Sequence, residues 1–345
     1  MFPHLLAVCS ASLRFSDIVS NGVLQHYAAN NVWGSGAAPS ATVTVSVGGV
    51  AAGTATADRE GNWTVVLENM PTRWSVDLAA TSAGSTPANT TVAFGEVVMC
   101  AGQSNMDMPV DCSLQNRSAC FSPKLMFRAD NGTAEVAAST RYTNKIWLLK
   151  VVQSKYEKRR EPAWATASPS TLASHSAVCW YSGKALFEGL GGQVPVGLMQ
   201  ASVSGSPIEY WLPAATKMPV NTNACEADVP QCDNQFNDSS FFEDIVTQLI
   251  PHTFGALVWD QAERDVKCPV STAAYACMQE LLVTSWRKAF DSPDAAFVAV
   301  QLPGYTGALA NGTGVYPGFI TGEMVWAMRL QQARGAAAVA NGRRA

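Results

Sequence analysis

The chain is short of charge. Asp, Glu, Lys and Arg make up 14% of its 345 residues, against about 25% in an average soluble domain. Hydrophobic residues reach 48%, a composition that builds a packed core and excludes a disordered or charge-dense scaffold. Lys and Arg number 23 against 27 Asp and Glu. With no positive field to meet a polyanion, nucleic acid is not an expected partner. The tightest basic cluster, Lys158-Arg159-Arg160 with Lys155 before it, reads as a solvated turn. Long apolar runs are missing too: none approaches the roughly 18 residues of a membrane helix, so no membrane insertion is expected. Histidine is scarce, at four residues, and no cysteines stand as C-x-x-C, which removes structural zinc.

What is present points to an oxidising compartment. Of nine cysteines, six bracket short stretches: Cys112 and Cys120, Cys225 and Cys232, Cys268 and Cys277. These are expected to close local disulfides, whereas Cys100 and Cys179, in apolar surroundings, are expected as buried thiols. Asn62, Asn89, Asn116, Asn131, Asn237 and Asn311 head N-x-S/T sequons that suit a glycosylated, lysosomal or secreted protein. Leu5 to Cys9 is a short apolar run before Ser10-Ala11-Ser12, read as a weak signal peptide within residues 1–16. Residues 335–345, little but Ala, Gly and Arg, read as a frayed low-complexity tail.

At about 150 residues per domain the length suggests two domains. Residues 17–93 read as an antiparallel β-sandwich: Thr42 to Val47 alternates with period two, and Asn62 to Leu67 follows a turn at Gly61. Ser75 to Leu78 and Thr90 to Phe94 are shorter strands of the same kind. The pattern changes near Gly95. Val97 to Cys100, Val194 to Met199, Ala256 to Trp259 and Ala296 to Leu302 are continuous apolar runs, the mark of strands buried on both faces. Helical stretches at Ser176 to Leu190, Phe241 to Ile250 and Ala273 to Phe290 lie between them. Residues 94–334 therefore read as an α/β domain, a parallel sheet covered on both sides, whose ligands bind beyond the carboxyl ends of the strands.

Three strand ends carry chemistry-bearing residues. After the first comes Gly102-Gln103-Ser104-Asn105-Met106-Asp107. A small nucleophile after a glycine there can be presented at the sheet edge, with backbone N–H groups of the next turn holding an oxyanion; a plain serine helix cap is the alternative. After the second comes Ser202-Val203-Ser204-Gly205-Ser206, whose glycine lets a backbone N–H approach a substrate oxygen, then Pro207-Ile208-Glu209-Tyr210-Trp211. After the third comes Asp260-Gln261-Ala262-Glu263-Arg264-Asp265, where the Gln261 amide can donate to an oxyanion. Asn105, Asp107, Glu209 and Glu263 are candidate contacts to sugar hydroxyls. Arg264 is a candidate partner for a sugar carboxylate, since guanidinium binds carboxylates in a fork. Trp211 and Trp259 either stack on a sugar ring or pack in the core.

These residues resemble the sialate O-acetylesterase family of SGNH-type hydrolases. The likeness rests on Asn21-Gly22-Val23-Leu24-Gln25, Val32-Trp33-Gly34, Gly61-Asn62-Trp63, Gly95-Glu96-Val97, Gly102-Gln103-Ser104-Asn105-Met106, Ser176-Ala177-Val178-Cys179-Trp180, Pro195-Val196-Gly197-Leu198, Pro207-Ile208-Glu209-Tyr210-Trp211 and the loop from Trp259 to Glu263. The resemblance implies a three-layer SGNH-hydrolase-like fold and a serine esterase that removes O-acetyl groups from sialic acids or related sugars, with no metal or cofactor. It implies Ser104 as nucleophile, and an oxyanion hole of the Ser104 and Gly205 amides with the Gln261 side chain.

The chain departs from the family's pattern in three places. The second loop, usually W-G-G-T, here keeps only Gly205. The third, usually Y-Q-G-E-S-N, has a methyl group at Ala262, where glycine serves positive φ, and charges at Arg264 and Asp265. The family's histidine comes from a D-x-x-H element, and no histidine follows His252, so the hydrolase domain reads as incomplete at its C-terminus. Losing that histidine from a comparable triad costs roughly a millionfold. His252 is expected at the sheet's opposite end, which leaves His175, at the head of the Ser176 helix, as the candidate substitute base. The alternative to an active esterase is a catalytically silent homologue that binds acetylated glycans or a protein partner.

Overall fold

The computed structural model describes residues 11–111, 132–151, 162–214, 240–267, 269–303 and 322–339. Outside them lie His4, the Lys155 to Arg160 cluster, Cys112, Cys120, Cys225, Cys232, Cys268, and the sequons at Asn116, Asn131, Asn237 and Asn311. Asn62 and Asn89 are both exposed. No helix among the described residues is long and apolar enough to cross a membrane.

One strand organises the molecule. Ala88–Gly102 runs 15 residues, and its burial changes from mixed at the start to continuous at the end. The first half pairs antiparallel with Arg73–Ser82, which continues the sheet through Thr42–Val47 to Val50–Thr56. The second half is flanked by parallel strands, Val196–Ser202 on one side and Ala256–Asp260 on the other. Ile146–Lys150 and Ala296–Ala299 extend the sheet outward, both parallel. A separate three-stranded sheet, Arg14–Phe15, Asn30–Ser35 and Trp63–Leu67, shares one apolar cluster with the antiparallel arm, in which Trp63, Val65 and Leu67 meet Val43, Val45, Leu78 and Phe94.

Side-chain alternation divides the parallel half into two faces. Val97, Met99 and Ala101 join Trp259, Trp211 and Trp286 beneath the helix Pro269–Ala289. Val98 and Cys100 face the other way, with Met106, Cys179 and Trp180, under the helix Ala177–Gly189. Gly95 stands at the changeover between the halves. A Cβ there would fall 2.1 Å from the Pro195 carbonyl, and the bare Cα lets Glu96 N donate to that oxygen at 2.9 Å.

The structure departs from the sequence expectations at several points. Cys100 and Cys179 are bonded to each other rather than free: the first faces out of the central strand directly under the helix that carries the second. Cys277 is disulfide-bonded as well. The strand Ile146–Lys150 was not anticipated, because five residues ending in lysine make too short an apolar run. The helix Gly322–Val339 was not anticipated either, and it takes in the first residues of the expected tail. Gly335 and Val339 are buried in it. The helix expected over Phe241 to Ile250 is broken into Ser240–Asp244 and the 3-10 turn Val246–Gln248.

The Cys100–Cys179 bridge spans 79 residues of sequence and ties the central strand to its covering helix. Removing both sulfurs as a Cys100→Ala, Cys179→Ala double variant should lower unfolding free energy by roughly 2–5 kcal/mol, read as a shifted urea midpoint. An unshifted midpoint would count against the bond.

Candidate active site

Register builds the site. Gly102 is the partner of Ser202 in one neighbouring strand and of Asp260 in the other, so the three loops that follow begin at one level. The close approach requires glycine: φ at Gly102 is +146°, and a Cβ would fall 2.0 Å from the Asp260 carbonyl. Gln103 N then donates to that carbonyl at 3.0 Å, and the chain turns into the single helical turn Ser104–Asp107. Ser104 is its first residue, so its N–H is one of the donors a helix leaves unpaired. Its hydroxyl is half-buried and makes no hydrogen bond among the described residues.

Buried carboxylates knit the loops together. Glu263 receives the Gln103 amide at 2.5 Å on one oxygen and the Asn105 amide on the other. The two residues flanking Ser104 are thereby held by one side chain that is 8% exposed. Burial pushes the Glu263 carboxyl upward, while backbone N–H groups and the Gln103 amide pull it back. On the second loop, Asp107 accepts from Ser202 Oγ at 3.0 Å and from Ser204 Oγ at 3.1 Å. Asp265 accepts from Ile208 N at 3.2 Å and from the Gln261 amide at 2.5 Å, joining the second loop to the third. Its carboxyl is raised well above the usual range, first by burial and then by the Glu209 charge, with Arg264 acting in the opposite sense. Asp260 ends its strand with a carboxyl raised to about 7 by burial and by the Glu263 charge.

The sequence-predicted residues divide accordingly. Asn105, Asp107, Gln261, Glu263 and Arg264 belong to this one network, and Ser104 stands within it between Gln103 and Asn105 without a side-chain hydrogen bond of its own among the described residues. Gly205 sits in an exposed turn at φ +78° with open space where a Cβ would be, and its N–H has no acceptor among the described residues. The Gln261 amide is 1% exposed and already engaged, donating to Ser206 O at 3.0 Å as well as to Asp265, while its Oε1 accepts from Tyr275 OH at 2.8 Å. Arg264 N donates to Gln103 Oε1 at 3.3 Å. Glu209 is half-buried beside Asp265.

Of the two readings of Trp211 and Trp259, packing in the core is the one the structure shows. Trp211 offers no face to a sugar: it is fully buried against Trp259, Trp286 and Phe241, and its Nε1 donates to Ser206 Oγ at 2.9 Å. Trp259 is equally buried, donating to Tyr275 OH at 3.1 Å. His175 is no partner of Ser104. Its ring is buried with no hydrogen bond among the described residues, and burial followed by the Lys150 charge lowers its pKa to about 3. His252 lies at the far end of the sheet as expected, with Nε2 3.0 Å from Val23 O and a pKa lowered by burial to about 4. His26 is in the N-terminal half, between Glu96 at 2.9 Å and Thr72 at 2.7 Å. Among the described residues no group of His, Cys, Asp and Glu has the arrangement of a metal site.

Sequence reasoning missed Gln103, Tyr275 and Gln332. Gln103 carried a signal, standing beside the serine at a strand end. The other two carried none, since each is a polar residue within a helix remote in sequence from the loop it touches.

A family model for carbohydrate esterases, the sialic acid-specific acetylesterases, matches residues 95–315, well over half of the chain. Sialate O-acetylesterases of Pongo abelii and Homo sapiens are each 27% identical to it, over 305 and 304 residues. Those alignments cover 80% of this chain and 53% of each relative, so the chain spans about half the length of the curated relatives it matches. A solved carbohydrate acetylesterase from Xanthomonas citri superposes with a TM-score of 0.71 at 22% identity, covering 94% of this chain and 66% of that one, and has the same mixed α/β fold. The chain belongs to the sialic acid-specific acetylesterase family of carbohydrate esterases.

Proposed function

We propose that the chain carries the acyl-transfer site of a carbohydrate O-acetylesterase, acting on O-acetylated sialic acid or a related acetylated sugar. The supporting observation is the juxtaposition at three aligned strand ends: a serine hydroxyl without a hydrogen-bond partner among the described residues, its two neighbours in sequence held by Glu263, and loops in which the Ser104 and Gly205 N–H groups have no acceptor among those residues. Ser104 Oγ attacks the acetyl carbonyl carbon, and its proton passes through solvent to the departing sugar oxygen. The carbonyl oxygen, now negative, is received by the two backbone N–H groups, each such donor being worth about 10²–10³ in rate. The sugar oxygen leaves as a hydroxyl, and water hydrolyses the acetyl-serine to acetate. The role of Gln261 in this scheme is to hold the third loop, because its amide hydrogens are already taken. Residues 17–93 would form the sandwich domain and 94–334 the hydrolase domain. The exposed Asn62 and Asn89 sequons support a secretory route.

A second reading is favoured by the histidines. The imidazoles of His26, His175 and His252 are engaged or buried away from Ser104, and a serine without a base is a poor nucleophile. A silent homologue would then bind acetylated glycans through the same loops. Turnover of 4-nitrophenyl acetate separates the two. The esterase reading expects Ser104→Ala to reduce the rate more than a hundredfold; equal rates in the two proteins would leave only the binding role.

The buried acids give the site a pH signature. Asp260 is raised from 3.8 to about 7, so between about pH 4 and pH 7 the unfolded chain releases a proton that the native state keeps. Stability therefore falls as pH rises through that window and levels off above it. Asp260→Asn removes the penalty. The variant should exceed the parent by on the order of 4 kcal/mol at pH 8, at about 1.4 kcal/mol per pKa unit, and match it at pH 4. Urea titrations at the two pH values check this, and an equal difference at both would contradict it.

A further inference from the structure

Ala262 holds φ at +151° while fully buried. That region is nearly reserved for glycine, and another residue persists there only when its surroundings over-determine it. Two side chains do so from outside the site. The Gln261 carbonyl, in the peptide just before Ala262, accepts from Gln332 Nε2 at 3.1 Å and lies 3.1 Å from Tyr275 OH, whose one hydrogen is shared between this oxygen and Gln261 Oε1. Tyr275 lies on the helix Pro269–Ala289 and Gln332 on the helix Gly322–Val339. Gln332 is buried, and its remaining bonds fix it in turn: Nε2 also donates to Val300 O at 3.1 Å, and Oε1 accepts from Leu302 N at 3.0 Å. Its main-chain carbonyl receives the Gln279 amide at 3.2 Å. Nearby, the missing side chain of Gly335 lets the two helices close, since a Cβ there would fall 2.9 Å from Ala276 O. Gln332 stands beyond residues 95–315, the span matched by the family model.

We infer that Gln332 is a positioning residue of the candidate site, clamping the strained Gln261–Ala262 peptide so that the Glu263 carboxylate stays between Gln103 and Asn105. The chain of contacts is continuous. Gln332 and Tyr275 hold the carbonyl before Ala262. Glu263 follows Ala262 directly and grips the residues on either side of Ser104. In a relative with glycine in place of Ala262 the conformation would need no such clamp, so Gln332 compensates for the methyl group. The consequence for Ser104 rests on the esterase reading; the clamp itself does not.

A double-mutant cycle between Gln332→Met and Ala262→Gly tests it in the full chain. Gln332→Met keeps the volume of the side chain and removes its three hydrogen bonds, while Ala262→Gly removes the strain they oppose. The unfolding equilibrium constant should rise at least tenfold more for Gln332→Met in the parent than in the Ala262→Gly background. Gln332→Leu, which likewise loses all three hydrogen bonds and brings no charge, should behave like Gln332→Met and serves if that variant folds poorly. In 4-nitrophenyl acetate hydrolysis, Gln332→Met should lower kcat about tenfold with KM unchanged, and Ala262→Gly should restore it to within about threefold. Equal destabilisation in the two backgrounds would overturn the inference and leave Gln332 as a strut between helix and strand. If the parent and Ser104→Ala hydrolyse the ester alike, the esterase reading fails, and the stability cycle still decides whether Gln332 clamps the loop.

Discussion

A single carboxylate between two amides sets the geometry around Ser104. Glu263 lies almost wholly out of water, where an unpaired charge would be strongly disfavoured, and it is kept there by donors from Gln103 and Asn105. The bargain is mutual. The two amides satisfy the carboxylate, and the carboxylate fixes the residues before and after the serine, so the serine's own turn has little freedom left. A one-turn helix has almost no intrinsic stability. What holds Ser104–Asp107 in place is this clasp, the Met106 side chain beneath it, and the pair of serine hydroxyls on Asp107.

That clasp depends on strand register. Gly102 is aligned with both Ser202 and Asp260; a slip of one residue would turn every side chain of the central strand to the other face and separate the loops. Register is in turn secured by burial on two faces. Val97, Met99 and Ala101 fill one cluster while Val98 and Cys100 fill the other, so neither set can be exchanged without cost. The disulfide to Cys179 then locks the strand to its covering helix, four residues before the serine in sequence.

Much of this was legible in the residues. Alternation in Thr42 to Val47 marks a half-buried strand, and continuous apolar runs at Val97 to Cys100 and Ala256 to Trp259 mark buried ones, because burial on one face or on two imposes those patterns. Gly102, Ser104 and Glu263 stand out in the sequence because each follows the end of such a run. The methyl of Ala262 was correctly placed at a positive φ. What escaped has a common cause: it depends on which faces meet in three dimensions. Trp211 follows a loop glycine and could be read as a sugar platform or as core, and only the Phe241 segment and the Trp286 helix packed against it decide for the core. Cys100 and Cys179 read as separate thiols until strand and helix are stacked. Gln332 is one polar residue in an Ala-rich helix, and only tertiary packing reveals that it meets a carbonyl 71 residues away.

The charged substitutions in the third loop follow the same logic. Arg264 and Asp265 replace small neutral residues of the family pattern, and isolated charges there would carry a heavy desolvation cost. They arrive together. The Arg264 charge bears on Asp265, and Asp265 spends one oxygen on Ile208 N and the Gln261 amide, so an otherwise destabilising carboxyl becomes the tie between two loops.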